Sequence, residues 1–277
     1  MIDTHIHVVR PGLPGVGALD PLLDRGADAV AAALRQQMRE TGVEAVLAMG
    51  CLGSADDPLG VNGTLAVARS LPGLHAVGVA DPARCDPDHL RRVEGVLNTG
   101  QVAALKGYLG YLHYAPDHPG YRPYYELAER YRLPFVFHTG DTYSRYAKVR
   151  YALPLAVDDV AVDHPRVRFV LAHFGYPWLQ DAAQVVYKNL NVWADLSGLV
   201  VGKAECFDGE ARREALEDVR QAVRRAFRYA ERPNRFVYGS DWPLAPMAAY
   251  RDFVASVIPE EHHAQVFEEN ARVLFRV

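Results

Sequence analysis

Cysteine is scarce in this sequence of 277 residues. Its three cysteines, Cys51, Cys85 and Cys206, are scattered, and no two of them have the CxxC spacing of zinc and redox motifs. An odd and scattered set does not provide the disulfide framework of a small secreted domain. We therefore expect a protein of a reducing compartment, and the cytoplasm is the predicted location.

A large excess of one charge and long hydrophobic runs are missing as well. The formal net charge is −4 at pH 7 and basic residues form no blocks, so nothing favours binding to nucleic acid or to an anionic membrane. No segment approaches the about 18 uninterrupted apolar residues of a transmembrane helix, and the N-terminus lacks the pattern of a signal peptide. The expected partner is a small-molecule substrate, with neither nucleic acid nor a membrane involved.

Short apolar segments recur along the chain instead. Most of them are continuously apolar, which is typical of strands buried on both faces of a parallel sheet. Eight strands are predicted, at residues 1–7, 43–50, 74–81, 102–108, 134–140, 167–175, 191–198 and 235–241. Apolar residues at helical spacing predict helices at 28–41, 87–100, 121–132, 214–232 and 259–275.

This alternation predicts the fold class. Eight strand–helix units favour an α/β fold, a single (β/α)8 TIM barrel domain over residues 1–277, since such barrels typically take about 250 residues. Long loops rich in glycine, proline and tyrosine follow three of the strands, at 8–27, 109–120 and 140–160. Loops that follow strands lie on the face where such barrels place their active sites.

Polar residues stand at the ends of five predicted strands. His5 and His7 are two residues apart in the first strand, so their side chains point to the same side. Four more polar residues end later strands: Lys106, His138, His173 and Asp241. A closed barrel brings these ends around one axis. Histidines and a carboxylate that converge in one cavity are suitable ligands for zinc, iron or manganese.

Motifs around these residues carry a resemblance to a known family. The chain has HxH at His5 and His7, "FHTG" at His138, "LAHFG" at His173 and "GSDWP" at Asp241, in this order along nearly its whole length. The pattern resembles the amidohydrolase superfamily, and most closely its "amidohydrolase 2" branch, which includes hydrolases related to aminocarboxymuconate-semialdehyde decarboxylase. The resemblance implies a barrel enzyme with a divalent metal, zinc first, with manganese and iron as alternatives.

The resemblance also implies a role for each residue. His5, His7, His138 and Asp241 correspond to metal ligands, and Asp241 also to the group that accepts the proton of the attacking water. His173 corresponds to a residue that assists the water or the substrate in one-metal relatives and binds a second ion in two-metal relatives.

Lys106 stands where two-metal relatives carry a carboxylated lysine that bridges the ions. One or two ions therefore remain open, as does the carboxylation of Lys106. The alternative for this residue is a lysine whose ammonium reaches the barrel mouth or pairs with a carboxylate.

The implied reaction is metal-assisted attack of water on a C–N or C–O bond of an amide, lactone or ester. Non-oxidative decarboxylation of a cyclic or unsaturated carboxylic acid is the alternative. A barrel that binds metal without catalysis and a metal-independent lactonase are further alternatives. Many relatives are dimers or larger, so a homodimer is compatible with the resemblance.

Other residues near the predicted mouth are weaker candidates. Asp195, near the end of the seventh strand, is predicted either to support the ligands or to be a buried structural carboxylate. Arg10 and Arg145 are candidates for binding a substrate carboxylate, and the preferred interpretation of Arg145 is loop packing with exposure to solvent. Three tyrosines are candidates for substrate contact or for loop packing: Tyr108, Tyr111 and Tyr143.

Overall fold

Eight parallel strands form one sheet in the computed structural model, which describes residues 1–17 and 19–277. Each strand pairs with the next along the chain, in the order β1 to β8. The strands are β1 Ile2–His7, β2 Ala45–Met49, β3 Leu74–Val79, β4 Val102–Gly107, β5 Phe135–His138, β6 Phe169–Ala172, β7 Val192–Asp195 and β8 Phe236–Val237. All eight predicted strands are confirmed.

The last strand returns to the first and closes the barrel. The backbone N–H of Thr4 donates to the carbonyl of Tyr238 at 2.9 Å, and the N–H of Asp241 donates to the carbonyl of His5 at 2.8 Å. The chain is therefore a (β/α)8 TIM barrel, as the alternation of segments predicted.

Helices surround the barrel. They are α1 Ala27–Thr41, α2 Asn62–Ala68, α3 Pro87–Leu97, α4 Arg122–Tyr131, α5 Ala156–Asp163, α6 Leu179–Lys188, α7 Glu205–Asp208, α8 Arg213–Ala230, α9 Met247–Val257 and α10 Asn270–Phe275. Local signals set the ends of the predicted ones. The Asp86 side chain accepts the N–H groups of Asp88 and His89 at the start of α3. Gly42 ends α1 with a φ of 73°.

Five helices were not predicted: α2, α5, α6, α7 and α9. Three of them, α2, α5 and α7, have only 7, 8 and 4 residues, so few turns were available to show a helical period. Length does not explain α6 and α9, because the predicted α4 and α3 have the same 10 and 11 residues. The predicted final helix at 259–275 is also divided, with a 3-10 turn at Glu260–His262 and a π-helical turn at Gln265–Glu269 before α10.

The barrel interior is polar at one end only. Apolar side chains from the strands fill the opposite end, where the C-terminal helix α10 packs against them. Members of this cluster include Ile2, Leu47, Val77, Val136, Val170, Val237, Ala271 and Leu274. Since this layer is filled, polar groups of the interior are confined to the carboxyl ends of the strands.

Two strands, β6 and β8, end before the site residues that the sequence analysis placed within them. Ala172 is the last residue of β6 and Val237 the last of β8, so His173 and Asp241 lie on the turns that follow. Both have a left-handed backbone, with φ values of 62° and 61°. This conformation ends the extended chain.

Among the described residues, no helix combines the length and hydrophobicity needed to cross a lipid bilayer.

Candidate metal centre

All six residues predicted to form the site line one cavity at the carboxyl ends of the strands. They are His5, His7, Lys106, His138, His173 and Asp241. Tyr108, Tyr111 and Tyr143 line the same cavity. The closure of the barrel thus brings together side chains from β1, β4 and β5 and from the turns after β6 and β8.

His5, His7 and Asp241 form a group of mutually close donor atoms. The Nε2 atoms of His7 and His5 lie 3.4 and 3.8 Å from Asp241 Oδ1, and each residue offers a ligand atom within 4.8 Å of the others. All three side chains are buried, yet Asp241 Oδ1 has no hydrogen-bond partner. A buried carboxylate oxygen without a donor is costly, and a cation at this point would satisfy it. The donor set therefore fits a divalent metal.

Asp195 orients one of these histidines. Its Oδ2 lies 2.8 Å from His5 Nδ1. Burial would raise the pKa of Asp195, but its contacts with His5 outweigh burial and hold the pKa below its usual range. Because the ionised carboxylate only accepts, His5 Nδ1 carries a proton and its Nε2 keeps a lone pair towards Asp241. Support of a ligand is the first of the two roles predicted for Asp195.

His138 and His173 form a second contact in the cavity. His173 Nε2 lies 3.1 Å from His138 Nδ1, and the other ring nitrogen of His138 faces the backbone carbonyl of Asp141 at 2.8 Å. A carbonyl only accepts, so His138 Nε2 carries the proton and its Nδ1 a lone pair. Burial lowers the pKa of His138 well below its usual value and that of His173 to about 4. Both rings are therefore neutral and able to bind a metal.

The structure does not place all four predicted ligands in one group. A second set of mutually close donors contains His5, His173 and Asp195, while His138 contacts His173. A site in which His5, His7, His138 and Asp241 bind one ion thus stays a prediction, and the number of ions remains open.

Lys106 does not reach solvent, contrary to the alternative of an ammonium at the barrel mouth. Its side chain is fully buried, and Nζ has no hydrogen-bond partner. The ammonium lies 5.4 Å from the centre of the Tyr108 ring. Burial lowers the pKa of Lys106 to about 8. An unpaired buried amine is a group that an anion, or carboxylation of the amine, would satisfy.

Gly198 was missed by the sequence reasoning, although it follows β7 directly in the segment "DLSG". Its φ is 62°, and a Cβ at this position would lie 2.5 Å from His173 Nδ1 and 3.1 Å from Asp241 Oδ2. A glycine thus allows the chain to approach both side chains. The left-handed backbones of His173 and Asp241 beside it are strained, which is typical of functional sites.

We expect Gly198→Ala to lower metal affinity at least about tenfold, because the new methyl group displaces His173 and Asp241. The strained φ adds a loss of stability of roughly 1–2 kcal/mol. Isothermal titration with zinc measures the affinity. Gly95→Ala is the control, since Gly95 lies in α3 with open space around it. Equal affinity in the two variants would contradict the role of Gly198.

The two arginines that were candidates for binding a substrate carboxylate have their contacts elsewhere. Arg10 is exposed and forms a bidentate pair with Asp24. Arg145 lies over the ring of Tyr146. Arg212, which the sequence reasoning missed, instead lines a cleft together with His138, His173 and Asp241. It precedes α8 in a region without any motif, so no sequence signal singled it out.

Comparisons with known proteins identify the family and support the fold. A family model described as amidohydrolase matches residues 2–277. No curated protein sequence matches the chain. Solved structures match over the entire chain. An uncharacterised TIM-barrel protein from Bordetella bronchiseptica is 17% identical, with a TM-score of 0.69 and 98% of its own length covered.

Two other solved structures have names that state an activity. A probable 2-pyrone-4,6-dicarboxylic acid hydrolase from Acinetobacter baumannii, solved with citric acid, is 15% identical, with a TM-score of 0.68; 100% of this chain and 99% of that chain are covered. A 5-carboxyvanillate decarboxylase from Novosphingobium aromaticivorans, solved with manganese and a nitrobenzoic acid, is 12% identical, with a TM-score of 0.63; 100% of this chain and 96% of that chain are covered. At these identities the likeness concerns the fold.

Proposed function

The chain belongs to the amidohydrolase family, whose model matches residues 2–277, and on that premise we propose that it is a metal-dependent hydrolase. Its substrate is a small molecule with an amide, lactone or ester bond. The observation that carries the proposal is the single buried cavity in which all six predicted residues meet. In it the Asp241 carboxylate and the Lys106 amine both have atoms without partners.

The metal would be held by nitrogen and carboxylate ligands. His5 and His7 offer Nε2, and Asp241 offers Oδ1; His138 and His173 offer the two facing nitrogens. A divalent ion supplies Lewis acidity, which lowers the pKa of water and polarises a carbonyl. We favour zinc because histidine-rich sites suit it, and keep manganese and iron as alternatives. The related decarboxylase was solved with manganese.

Protons are handled by the protein's own side chains. Burial would raise the pKa of Asp241, but contacts with His7, His173 and His5 hold it below its usual range. Asp241 is therefore ionised at neutral pH and accepts the proton of an attacking water. The Lys106 ammonium stabilises negative charge that develops on the substrate. The tyrosines Tyr108 and Tyr111 are buried and exclude bulk water from the cavity.

The cleft beside the metal centre suits an anionic substrate with an apolar body. It encloses about 290 Å³, and Leu199, Val201, Leu216 and Val219 contribute apolar walls. Arg212 lines the same cleft. A guanidinium binds a carboxylate through two parallel hydrogen bonds. We therefore propose a small cyclic or unsaturated carboxylic acid as the substrate.

Arg212→Ala is expected to raise KM for such an acid about 10- to 100-fold, which corresponds to a charge-assisted hydrogen bond worth roughly 1.5–3 kcal/mol. Metal content is expected to stay unchanged. The matched control is Arg213→Ala, since this neighbouring arginine does not line the cleft. Equal KM values for the two variants, measured by steady-state kinetics, would argue against an anchor at Arg212.

Decarboxylation is a second candidate, and the two cations favour it. Arg212 can anchor a substrate carboxylate, and the buried Lys106 ammonium can deliver a proton to carbon. Arg212 and Lys106 could equally assist the hydrolysis of a carboxylated lactone. The products of the reaction must therefore distinguish hydrolysis from decarboxylation.

The deciding experiment uses protein reconstituted with zinc, manganese or iron(II). It is incubated with two panels of compounds, carboxylated lactones and carboxylated phenols. Hydrolysis releases acid, which a pH-stat records, whereas decarboxylation releases carbon dioxide, which a gas trap records. Acid release that disappears with a chelator and returns with metal supports the hydrolase. Carbon dioxide alone would replace it with the decarboxylase, and inactivity on both panels with every metal would contradict both.

A further inference from the structure

Ser197 has no role in the function described so far, yet its hydroxyl contacts two residues of the site. It follows β7 and is fully buried. Its hydroxyl contacts Asp195 Oδ1 on one side and lies 3.0 Å from His173 Nδ1 on the other. The backbone N–H groups of Ser197 and His173 donate to the same carboxylate oxygen at 3.0 and 2.9 Å. The serine is therefore a link between a carboxylate and a histidine.

The number of available protons determines which group donates in each of these hydrogen bonds. The Asp195 carboxylate is ionised and only accepts, so the single hydroxyl proton of Ser197 is donated to it. The serine oxygen can then only accept from the ring of His173. The carbonyl of Ser197, which also only accepts, lies 3.3 Å from the same ring nitrogen. Two acceptors face His173 Nδ1, so this nitrogen carries the proton and Nε2 keeps the lone pair.

We propose that Ser197 is a positioning residue that holds His173 in the Nδ1–H tautomer and so keeps Nε2 available as a base or metal ligand. This inference rests on the proposed function for the use made of Nε2, but the tautomer itself follows from the geometry alone. Asp195 then determines the tautomers of two histidines, that of His5 by direct contact and that of His173 through the Ser197 hydroxyl.

The tautomer has a consequence for the cavity. His138 Nδ1 also carries a lone pair, because its Nε2 donates to the Asp141 carbonyl. Two lone pairs thus face each other across 3.1 Å, which is unfavourable unless a cation lies beside them. Two nitrogens that each bind an ion at about 2.0–2.1 Å lie about 3 Å apart. The arrangement that Ser197 imposes is therefore one that suits a metal ion and disfavours an empty site.

Nuclear magnetic resonance tests the tautomer without turnover. Long-range ¹H–¹⁵N correlation spectra of metal-free protein with ¹⁵N-labelled histidine report which ring nitrogen is protonated, and His173→Gln assigns the signal. We expect the Nδ1–H form of His173 in the unmodified protein. In Ser197→Ala we expect a mixture with the Nε2–H form, because only the more distant carbonyl remains as an acceptor. The His5 signal is expected to be unchanged.

Asp195→Asn provides the matched variant. The two backbone N–H groups hold the amide oxygen in the place of Oδ1, so the amide NH₂ faces His5 and converts it to the Nε2–H form. The two variants are thus expected to change different histidines. An Nε2–H form of His173 in the unmodified protein, or the same spectrum for His173 in Ser197→Ala, would overturn the proposal.

A kinetic measurement completes the test. With metal restored, Ser197→Ala is expected to lower kcat at least about tenfold with little change in KM. A fall in kcat without a change of tautomer would also overturn the proposal. The Nδ1–H form in a protein that hydrolyses nothing would leave the role of Ser197 intact and would contradict the proposed function instead.

Discussion

Asp241→Ala is expected to remove the bound metal and to lower turnover at least about a thousandfold. Asp241 has two tasks in the proposed site, since Oδ1 is the acceptor that faces His5 and His7 and the carboxylate is the proton acceptor. The second task alone is worth about 100- to 10,000-fold in comparable enzymes. Elemental mass spectrometry of protein purified without chelator measures the metal per chain.

His138→Ala tests the same assignment from the other side of the cavity and is also expected to lose metal. Asp252→Ala is the control, because this carboxylate is exposed on α9 and pairs with Arg251. Circular dichroism checks that each variant keeps the barrel. Full metal content in either cavity variant would show that its side chain is not a ligand.

Lys106→Met is expected to abolish activity and, at the same time, to stabilise the metal-free protein by about 3 kcal/mol at pH 7. Burial lowers the pKa of this amine from 10.5 to about 8, and each pKa unit corresponds to about 1.4 kcal/mol. Methionine has a similar length and no charge, so it removes the penalty without leaving a large cavity. Activity is lost because the cation of the site is removed.

The stabilisation expected for Lys106→Met decreases as the pH rises. Below about pH 8 the Lys106 amine is protonated in both the folded and the unfolded chain, so the folded protein bears the full free-energy cost of burying the ammonium. Between pH 8 and 10.5 the unfolded chain binds more protons, so the unmodified protein becomes more stable as the pH rises. The advantage of Lys106→Met therefore fades in that window and disappears above it.

Urea unfolding of chelator-treated protein at several pH values measures this advantage. Lys148→Met is the control, since Lys148 is exposed and its replacement is expected to change stability by less than about 0.5 kcal/mol. If Lys106→Met left the free energy of unfolding unchanged at pH 7, the buried Lys106 amine would have to be stabilised already by its surroundings. Metal content gives a second result: half the unmodified value is expected only if two ions are bound.

Local patterns in the sequence were enough to predict much of the barrel. Apolar segments, most of them continuous, identified the eight strands, because a strand buried on both faces needs apolar residues on both. The spacing of His5 and His7 placed their side chains on one side, because successive residues of a strand alternate in direction. Gly42 and Asp86 marked helix ends, since capping depends on a few neighbouring residues.

Long-range contacts were beyond such patterns. The pairing of His5 with Asp195 joins residues 190 positions apart, and it exists only because the closed barrel brings β1 and β7 to one axis. The sequence likewise left open whether Arg10 or Arg145 enters the cavity. Each found a partner close to it on the surface, while Arg212 reached the cleft from the segment before α8.

The sequence by itself determined the fold, the face on which the site lies and the residue types that form it. Those properties follow from the periodicity of apolar residues and from the positions of polar residues at strand ends. Only the tertiary structure decided that His138 contacts His173, that Ser197 connects His173 to Asp195 and that Lys106 is left without a partner. These relations depend on distances of a few ångströms between different strands, which barrel closure and packing set and which no single segment encodes.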